Sequence, residues 1–234
     1  MNVLITGVSR GIGRELVLKF AENPTNNIVV FSSSAEKVEE LSRECEVKFN
    51  NKITYFNLDF LSQNIDKLLI AVFSKIHFVF DVVINNAGQL INKPFLNNTL
   101  TEIEELYRVN FIAPYLICQN VIKQNTKSNC HIVNIGSMGG VQGSVKFPGL
   151  SIYSASKAAL ANLAECLAEE YKETNIKINC LALGSAQTEM LAQAFPGYQS
   201  QVSAEQMANY IYGFAILGNN LFNGKIIPVS VTTP

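Results

Sequence analysis

Short apolar runs alternate with longer amphipathic stretches along most of the chain. The apolar runs are rich in Val and Ile, a pattern typical of strands that are buried on both faces. They cover Asn2 to Thr6, Ile28 to Ser32, Ile53 to Asn57, Val79 to Ile84, His131 to Ile135 and Ile176 to Leu181. A last short strand is predicted over Lys225 to Val229.

The stretches between these runs have helical spacing. They cover Ile12 to Asn23, Ala35 to Glu44, Ser62 to Lys75, Thr101 to Lys123 and Ser154 to Lys172. Alternating strands and helices predict an α/β fold, a doubly wound parallel sheet of about seven strands with helices on both faces. In such a sheet ligands bind beyond the carboxyl ends of the strands.

The pattern loosens after Leu181. Residues Gly184 to Ser200 include Pro196, Gly197 and several polar side chains, and a helix is predicted from Ala204 to Leu217. We therefore expect a mobile substrate lid around residues 184–202. No repeat or linker divides the 234 residues, so a single domain over 1–234 is expected.

Charge and hydropathy narrow the possible partners. The formal net charge is -1 and no long Lys/Arg run occurs, which argues against nucleic acid. No apolar segment reaches the roughly 20 residues of a membrane span. Because the first strand follows Met1 at once, a signal peptide has no room, and we expect a cytoplasmic protein.

Cysteine and histidine give no sign of a metal site. The two histidines, His77 and His131, are isolated, so we expect them to be structural or surface residues and no metal to bind. The five cysteines are dispersed among apolar residues without a C-x-x-C pair, which favours buried, reduced thiols. These are Cys45, Cys118, Cys130, Cys166 and Cys180.

A glycine-rich turn follows the first strand and opens the first helix. It runs Thr6-Gly7-Val8-Ser9-Arg10-Gly11-Ile12-Gly13. Glycines let the backbone approach a pyrophosphate, and the helix N-terminus favours an anion. An ordinary glycine-rich turn is the alternative, but the position directly between strand and helix favours dinucleotide binding.

The sequence resembles the short-chain dehydrogenase/reductase family. Its cofactor motif T-G-x-x-x-G-x-G matches Thr6 to Gly13, and three further motifs follow in order along the chain. They are Asn85-Asn86-Ala87-Gly88 after the fourth strand, Ser137 after the fifth, and Tyr153-Ser154-Ala155-Ser156-Lys157 in the next long helix. Within the family the chain is most similar to 3-oxoacyl carrier-protein reductases and related carbonyl reductases.

The resemblance implies a hydride transfer between a nicotinamide cofactor and a carbonyl or alcohol. The catalytic residues would be Asn110, Ser137, Tyr153 and Lys157, with Tyr153 as proton donor or acceptor. Since Tyr153 and Lys157 are four residues apart on one helix face, we expect the ammonium to lower the tyrosine pKa from its usual value of about 10. Ser137 would stabilise charge on the substrate oxygen. An amphipathic tyrosine and a solvated lysine are the alternative.

Asn110 has a feature that is readable without the family. Pro114, four residues further on, has no N–H, so the Asn110 carbonyl loses its intrahelical partner and the helix should kink there. In the family a water held at this carbonyl links the lysine to solvent.

The expected cofactor contacts come from the same motifs and from the ends of the neighbouring strands. They are Gly7, Ser9, Arg10, Gly11, Ile12, Gly13, Ser32, Ser33, Asp59, Asn86, Ala87, Gly88, Tyr153, Lys157, Gly184 and Thr188. Asp59 is an adenine contact or a helix cap. Asn85 and Asn86 pack beside the adenosine or only terminate a strand.

The chain departs from the family pattern around the expected substrate mouth. Val145 to Leu150 form a small insertion, and Leu183-Gly184 replaces the usual Pro-Gly after the sixth strand. Met190, Phe195 and Tyr198 line the lid or serve as packing groups. These departures leave the substrate class open.

NADP is the expected cofactor, with NAD possible. An NAD site usually carries an acid about 20 residues beyond the glycine turn, but Phe31-Ser32-Ser33-Ser34 stands there and Glu36 already belongs to the next helix. Arg10 could pair with a 2′-phosphate, or it could be a solvated arginine.

The two long helices indicate that the chain forms an oligomer. The apolar content of the helices Thr101 to Lys123 and Ser154 to Lys172 exceeds what one face against a sheet hides, so we expect a homotetramer or homodimer. A non-catalytic dinucleotide-binding regulator on the same fold is the alternative to an enzyme.

Overall fold

A computed structural model of the chain describes residues 1–125 and 127–231. Its parallel sheet has the strand order β3-β2-β1-β4-β5-β6-β7. The strands are β1 (Asn2–Thr6), β2 (Asn27–Ser32), β3 (Thr54–Asn57), β4 (Val82–Asn85), β5 (Cys130–Ser137), β6 (Ile176–Leu183) and β7 (Ile226–Val229). This architecture confirms the predicted doubly wound α/β sheet.

Helices cover both faces of the sheet. They are α1 (Gly11–Ala21), α2 (Ala35–Phe49), α3 (Ile65–Phe73), α4 (Leu100–Tyr107), α5 (Ala113–Asn125), α6 (Ser151–Glu170), α7 (Glu189–Ala194) and α8 (Ala204–Leu217). Helices α1, α2 and α8 contribute to one apolar core, and α3, α5 and α6 contribute to the core on the opposite face.

The strand order reverses between β1 and β4. From β1 the chain winds outward to β2 and β3, and then returns to β4 on the other side of β1 before winding outward again. A crevice therefore opens beyond the carboxyl ends of β1 and β4, where Thr6 and Asn85 end their strands. This reversal is the place where doubly wound sheets bind their ligands.

The kink predicted at Asn110 takes the form of a π segment. The helix expected from Thr101 to Lys123 is divided into α4, a π-helical turn over Arg108–Ile112, and α5. In that turn the Ala113 N–H donates to the Arg108 carbonyl. Pro114, which has no N–H to continue the ladder, follows at once.

Two strand predictions need correction. Strand β4 begins at Val82 rather than at Val79, because Phe78 and Phe80 belong to an aromatic cluster with Phe73 and lie in a loop. Strand β3 is an edge strand whose terminal residues are exposed, so it is not buried on both faces.

Three further corrections concern two helices and a cysteine. The segment after Leu183 contains helix α7, which buries none of its residues and therefore has no apolar stripe for the sequence to reveal. Helix α6 begins at Ser151, so Tyr153 lies within its first turn. Four cysteines are buried as expected, but Cys166 on α6 is exposed.

Two buried polar side chains join α8 and the chain before β7 to the centre of the sheet. His131 is fully buried, with Nδ1 2.9 Å from the Ala215 carbonyl and Nε2 3.0 Å from Asn179 Nδ2. Asn179 Nδ2 also donates to the Phe222 carbonyl, and its Oδ1 accepts from the Lys225 N–H. Because these bonds fix the orientation of the amide, Nε2 must accept, and the ring is neutral. His77, in contrast, is exposed.

The burial of His131 predicts a loss of stability in mild acid. Burial lowers the pKa of His131 to about 4, below the value of about 6.5 expected for an unfolded histidine. The unfolded chain then binds the proton at higher pH, so the free energy of unfolding falls as the pH drops from about 6.5 towards 4, by at most about 3 kcal/mol from this group.

Denaturant unfolding between pH 4.5 and 7 measures this contribution. His131→Gln keeps a donor and an acceptor but cannot titrate, so its stability should depend less steeply on pH than that of the wild type. His77→Gln makes the same change at the exposed histidine and should keep the wild-type slope. Equal slopes for the wild type and His131→Gln would contradict the assignment.

Candidate active site

A cavity of about 710 Å³ occupies the crevice at the carboxyl edge of the sheet. This volume lies within the range of small-molecule sites. All the residues predicted to bind cofactor line its wall, and so does Ser137. Asn110 is the one predicted site residue that does not line this cavity, since it is fully buried behind the wall.

The glycine turn forms the floor of one end of the cavity. Gly7 has φ +70°, and a Cβ on Gly13 would lie 2.1 Å from the Gly7 carbonyl oxygen, so the turn and the start of α1 meet more closely than a side chain allows. Arg10 at the N-cap position gives α1 no side-chain cap. The turn therefore suits a diphosphate, which would accept from the backbone N–H groups at the helix start.

Thr6 and Asn86 join the turn to the chain that follows β4. Thr6 Oγ1 accepts from the backbone N–H groups of Asn86 (3.1 Å) and Ala87 (3.0 Å). In return, Asn86 Nδ2 donates to the carbonyls of Thr6 and Gly7, at 3.0 Å each. Asn86 thus does more than terminate a strand. The role of Thr6 was not apparent from the sequence, where this residue only opened the glycine motif.

Ser32, Ser33 and Asp59 line the cavity beyond β2 and β3. Asp59 Oδ1 accepts from the Leu61 N–H at 2.9 Å, while the N-cap position of α3 belongs to Asn64. Asp59 is therefore a turn residue on the cavity wall and not the cap of α3. In the segment that directly follows β2, residues 33–36, no acidic side chain lines the wall, since Glu36 lies in α2.

Arg10 lies on the same wall, and its guanidinium has no partner among the described residues. It lines the cavity, and none of the residues in 1–125 and 127–231 forms a hydrogen bond or an ion pair with its side chain. The sequence left open whether this arginine is solvated or faces a phosphate, and its position on the wall is compatible with both.

Ser137, Tyr153 and Lys157 converge where β5 meets the first turns of α6. Lys157 is almost completely buried, and its Nζ donates to the Ile135 carbonyl at 2.8 Å. Nζ also lies 6.0 Å from the centre of the Tyr153 ring. Ser137 Oγ accepts a hydrogen bond from the Gly139 N–H at 3.3 Å, and Ser137 also acts on Tyr153, whose pKa it lowers. A hydroxyl, a phenol and an ammonium therefore share one corner of the cavity.

The pKa of Tyr153 is raised, which corrects the expected lowering. Burial disfavours the phenolate, and Ser137 opposes this only in part. Burial also lowers the pKa of Lys157 to about 8. The ammonium is held by the Ile135 carbonyl rather than by the phenol, so desolvation dominates at both groups.

Asn110 acts on this corner from behind the cavity wall. Its Oδ1 accepts from the Gln89 N–H at 2.8 Å, and its Nδ2 donates to the Gln89 carbonyl at 2.9 Å and to Ser156 Oγ at 3.0 Å. Ser156 Oγ donates in turn to the Tyr153 carbonyl at 2.8 Å. The asparagine thus joins the loop after β4 to the turn of α6 that carries Tyr153.

Apolar side chains line the cavity around this corner. Val145, Phe147 and Leu150 come from the predicted insertion, and Met190 and Phe195 come from the lid segment, as residues 184–202 are called below. Leu90, Met138, Leu191 and Tyr198 complete this part of the wall. Leu90, Met138 and Leu191 were missed, because a single apolar residue in a loop or a very short helix has no periodicity to mark it.

The described residues show neither a metal site nor a membrane span. In 1–125 and 127–231 no group of three or more His, Cys, Asp or Glu side chains could hold a metal ion. No helix in the same ranges is long and apolar enough to cross a membrane.

Known proteins resemble the chain in sequence and in fold. Residues 1–199 match the short chain dehydrogenase family. The 3-oxoacyl-[acyl-carrier-protein] reductase of Aquifex aeolicus is 29% identical over 239 residues, which cover 97% of this chain and 94% of that protein.

Two solved structures show the same fold with different bound cofactors. A short chain dehydrogenase from Shigella flexneri, complexed with NADP, superposes with a TM-score of 0.87 at 24% identity, over 97% of this chain and 95% of that one. A 4-hydroxyisoleucine dehydrogenase complexed with NADH gives 0.85 at 20% identity, over 98% and 96% of the two chains.

Proposed function

We propose that this chain, which belongs to the short-chain dehydrogenase family, reduces a carbonyl compound with NADPH and uses Tyr153 as the proton donor. The observation that carries the proposal is the convergence of Ser137, Tyr153 and Lys157 in one corner of a cavity whose other end is the glycine turn. A non-catalytic dinucleotide-binding regulator would need the turn but not this corner.

The roles of the three side chains follow from their chemistry. A bound nicotinamide dinucleotide supplies the hydride. As charge develops on the substrate oxygen, Ser137 donates a hydrogen bond to it and Tyr153 donates the proton. Lys157 offers further N–H donors beside the phenol, because only one of its three is used by the Ile135 carbonyl. Asn110 acts as a positioning residue for the Tyr153 turn.

The raised pKa of Tyr153 supports its proposed role as a proton donor. A pKa of Tyr153 above its usual value of 10 keeps the phenol protonated at neutral pH. A protonated phenol can donate to a nascent alkoxide at once, whereas alcohol oxidation needs the phenolate as base.

Removal of the phenol tests the proton donor. Tyr153→Phe keeps the ring but not the hydroxyl, so we expect kcat for carbonyl reduction to fall by at least about 10², within the usual range of general acid catalysis. Cofactor affinity, measured by NADPH fluorescence, should change little. Tyr210→Phe removes a hydroxyl from an exposed tyrosine on α8, outside the cavity, and should leave kcat unchanged.

Near-normal turnover by Tyr153→Phe would contradict the assignment of Tyr153 as the proton donor. A wild-type protein that binds NADPH but reduces no ketone, aldehyde or acyl thioester in a broad panel would favour the regulator instead.

The preference for NADP rests on the residues beyond β2. Neighbours of this fold hold NADP in one case and NADH in another, so the fold does not decide. In this chain no carboxylate directly after β2 is available to a ribose 2′-hydroxyl, and Ser32 and Ser33 offer hydroxyl groups instead. The Arg10 guanidinium has no hydrogen-bond or ion-pair partner among the described residues.

Steady-state kinetics with both cofactors test this preference. The wild type should have a higher kcat/KM with NADPH than with NADH, and Arg10→Ala should raise KM for NADPH with little effect on NADH, since only NADPH carries the 2′-phosphate. Equal or better kcat/KM with NADH in the wild type would refute the preference. An unchanged KM for NADPH in the variant would show that Arg10 does not bind the 2′-phosphate.

The proposal includes a cytoplasmic homotetramer. All five cysteines are free thiols, as in a reducing compartment. Leu100, Ile103, Ile112 and Tyr115 expose apolar surface along α4, the π turn and α5. A second set of exposed apolar side chains, Leu217, Leu221 and Phe222, lies at and just beyond the end of α8. In contrast to the expectation for both long helices, α6 exposes no large apolar side chain.

Light scattering tests the assembly. Two separate patches, each on its own twofold axis, produce a tetramer, so the mass should be about four times the chain mass of 25.8 kDa. Leu221→Lys places a charge in one patch and should give a dimer. A wild-type mass equal to that of one chain at micromolar concentration would contradict the proposal.

A further inference from the structure

Three segments meet around the apolar half of the cavity. They are the loop after β4 (residues 86–94, the β4 loop), the insertion at residues 145–150, and the lid segment. Each contributes side chains to the cavity wall: Leu90 from the β4 loop, Phe147 and Leu150 from the insertion, and Met190 and Phe195 from the lid segment. The shape of this half depends on how the three segments are held together.

Asn92 holds the lid segment from the side of the β4 loop. Its Nδ2 donates to the Ala194 carbonyl at 2.8 Å, across 102 positions of sequence. Ala194 is the last residue of α7, whose terminal carbonyls lack partners within the helix, and it precedes the wall residue Phe195. Since α7 buries no residue, apolar packing contributes little to its position.

The same side chain contacts the insertion. A Cβ on Gly149 would lie 2.0 Å from Asn92 Oδ1, so the amide rests directly against the Gly149 backbone. Gly149 also has φ +85°, a backbone conformation that residues with a side chain rarely adopt. The backbone of the next residue also bonds to the insertion, because the Lys93 N–H donates to the Gly149 carbonyl at 3.0 Å.

The β4 loop itself is firmly anchored at this point. Lys93 Nζ pairs with the Glu102 carboxylate at 2.8 and 3.0 Å. Glu102 in turn accepts from the Thr99 N–H in the capping box of α4. Asn92 therefore directly precedes a residue that is anchored to α4, whereas its partner α7 is not packed into the core.

We propose that Asn92 is a positioning residue that clasps the lid segment to the insertion and so sets the distance between the two apolar walls of the substrate site. The inference rests on the proposed function only in taking this half of the cavity as the substrate site. An elongated apolar substrate touches both walls, so its binding depends on the clasp. A short substrate reaches the Ser137 and Tyr153 corner without spanning them.

Hydrogen–deuterium exchange of the full-length protein tests the clasp without any substrate. Asn92→Asp keeps the shape of the side chain but replaces the donor with a carboxylate that repels the Ala194 carbonyl. The backbone N–H groups of Ala192, Phe195 and Tyr198 bond within the lid segment and report its opening. Loss of one exposed hydrogen bond should speed their exchange by about three- to ten-fold.

Asn98→Asp is the matched control. Asn98 Nδ2 also donates to backbone carbonyls, those of Pro94 and Phe95, but both partners are local and neither belongs to the lid segment. This variant should leave exchange in residues 189–200 at the wild-type rate. Equal lid exchange in the wild type and Asn92→Asp would overturn the proposal, as would an equal rise in both variants.

A second pair of variants approaches the clasp from the insertion. Gly149→Ala places a methyl group where Asn92 Oδ1 lies, so it should loosen the lid segment as Asn92→Asp does. Gly143→Ala has the same backbone strain, at φ +81°, but its Cβ would meet nothing within 4 Å. Only the first should speed lid exchange, and equal effects of the two would count against the clasp.

Kinetics then link the clasp to the substrate. The probes are the N-acetylcysteamine thioesters of 3-oxobutanoate and 3-oxooctanoate. Asn92→Asp should raise KM for the longer probe at least about five-fold. It should leave KM for the shorter probe, and kcat for both, nearly unchanged. Faster lid exchange with no change in KM for the longer probe would refute the role in substrate positioning. Failure of the wild type to reduce either probe would count against the proposed function, while the exchange experiment would still decide the clasp.

Discussion

The reciprocal hydrogen bonds between Thr6 and Asn86 are the constraint on which the rest of the site depends. They hold the glycine turn against the chain leaving β4, at the point where the strand order reverses. From there the β4 loop reaches Asn110 through Gln89, and Asn110 reaches the Tyr153 turn through Ser156. A single series of hydrogen bonds therefore connects the glycine turn to Tyr153, the proposed proton donor.

Burial determines how the groups at the end of this series behave. Lys157 is almost completely buried and Tyr153 is partly buried, and burial shifts each pKa in favour of the neutral form, down for the amine and up for the phenol. A free tyrosine beside a free lysine would move in the opposite direction. Desolvation, rather than charge, therefore dominates the pKa of both groups in this corner.

The sequence predicts what periodicity and topology determine, and misses what depends on single contacts. Strand β1 and helix α8 have the predicted bounds, because their apolar patterns are uninterrupted. Parallel strands bring Ser137 beside the start of α6 whatever the side chains between them. Helix α7, by contrast, has no apolar stripe, and the raised pKa of Tyr153 depends on how deeply the finished cavity buries it. Asn92 is one polar residue among several in a loop.

Two asparagines show how burial adapts one side chain to two tasks. Asn110 is completely buried and makes three hydrogen bonds, so opening any of them would leave a desolvated amide without a partner. Asn92 is exposed, and water can replace its bond to the Ala194 carbonyl at small cost. The first amide is suited to a corner that must stay fixed for the proposed proton transfer. The second is suited to a lid segment that must release its product, because a clasp as strong as the Asn110 network would keep the site closed.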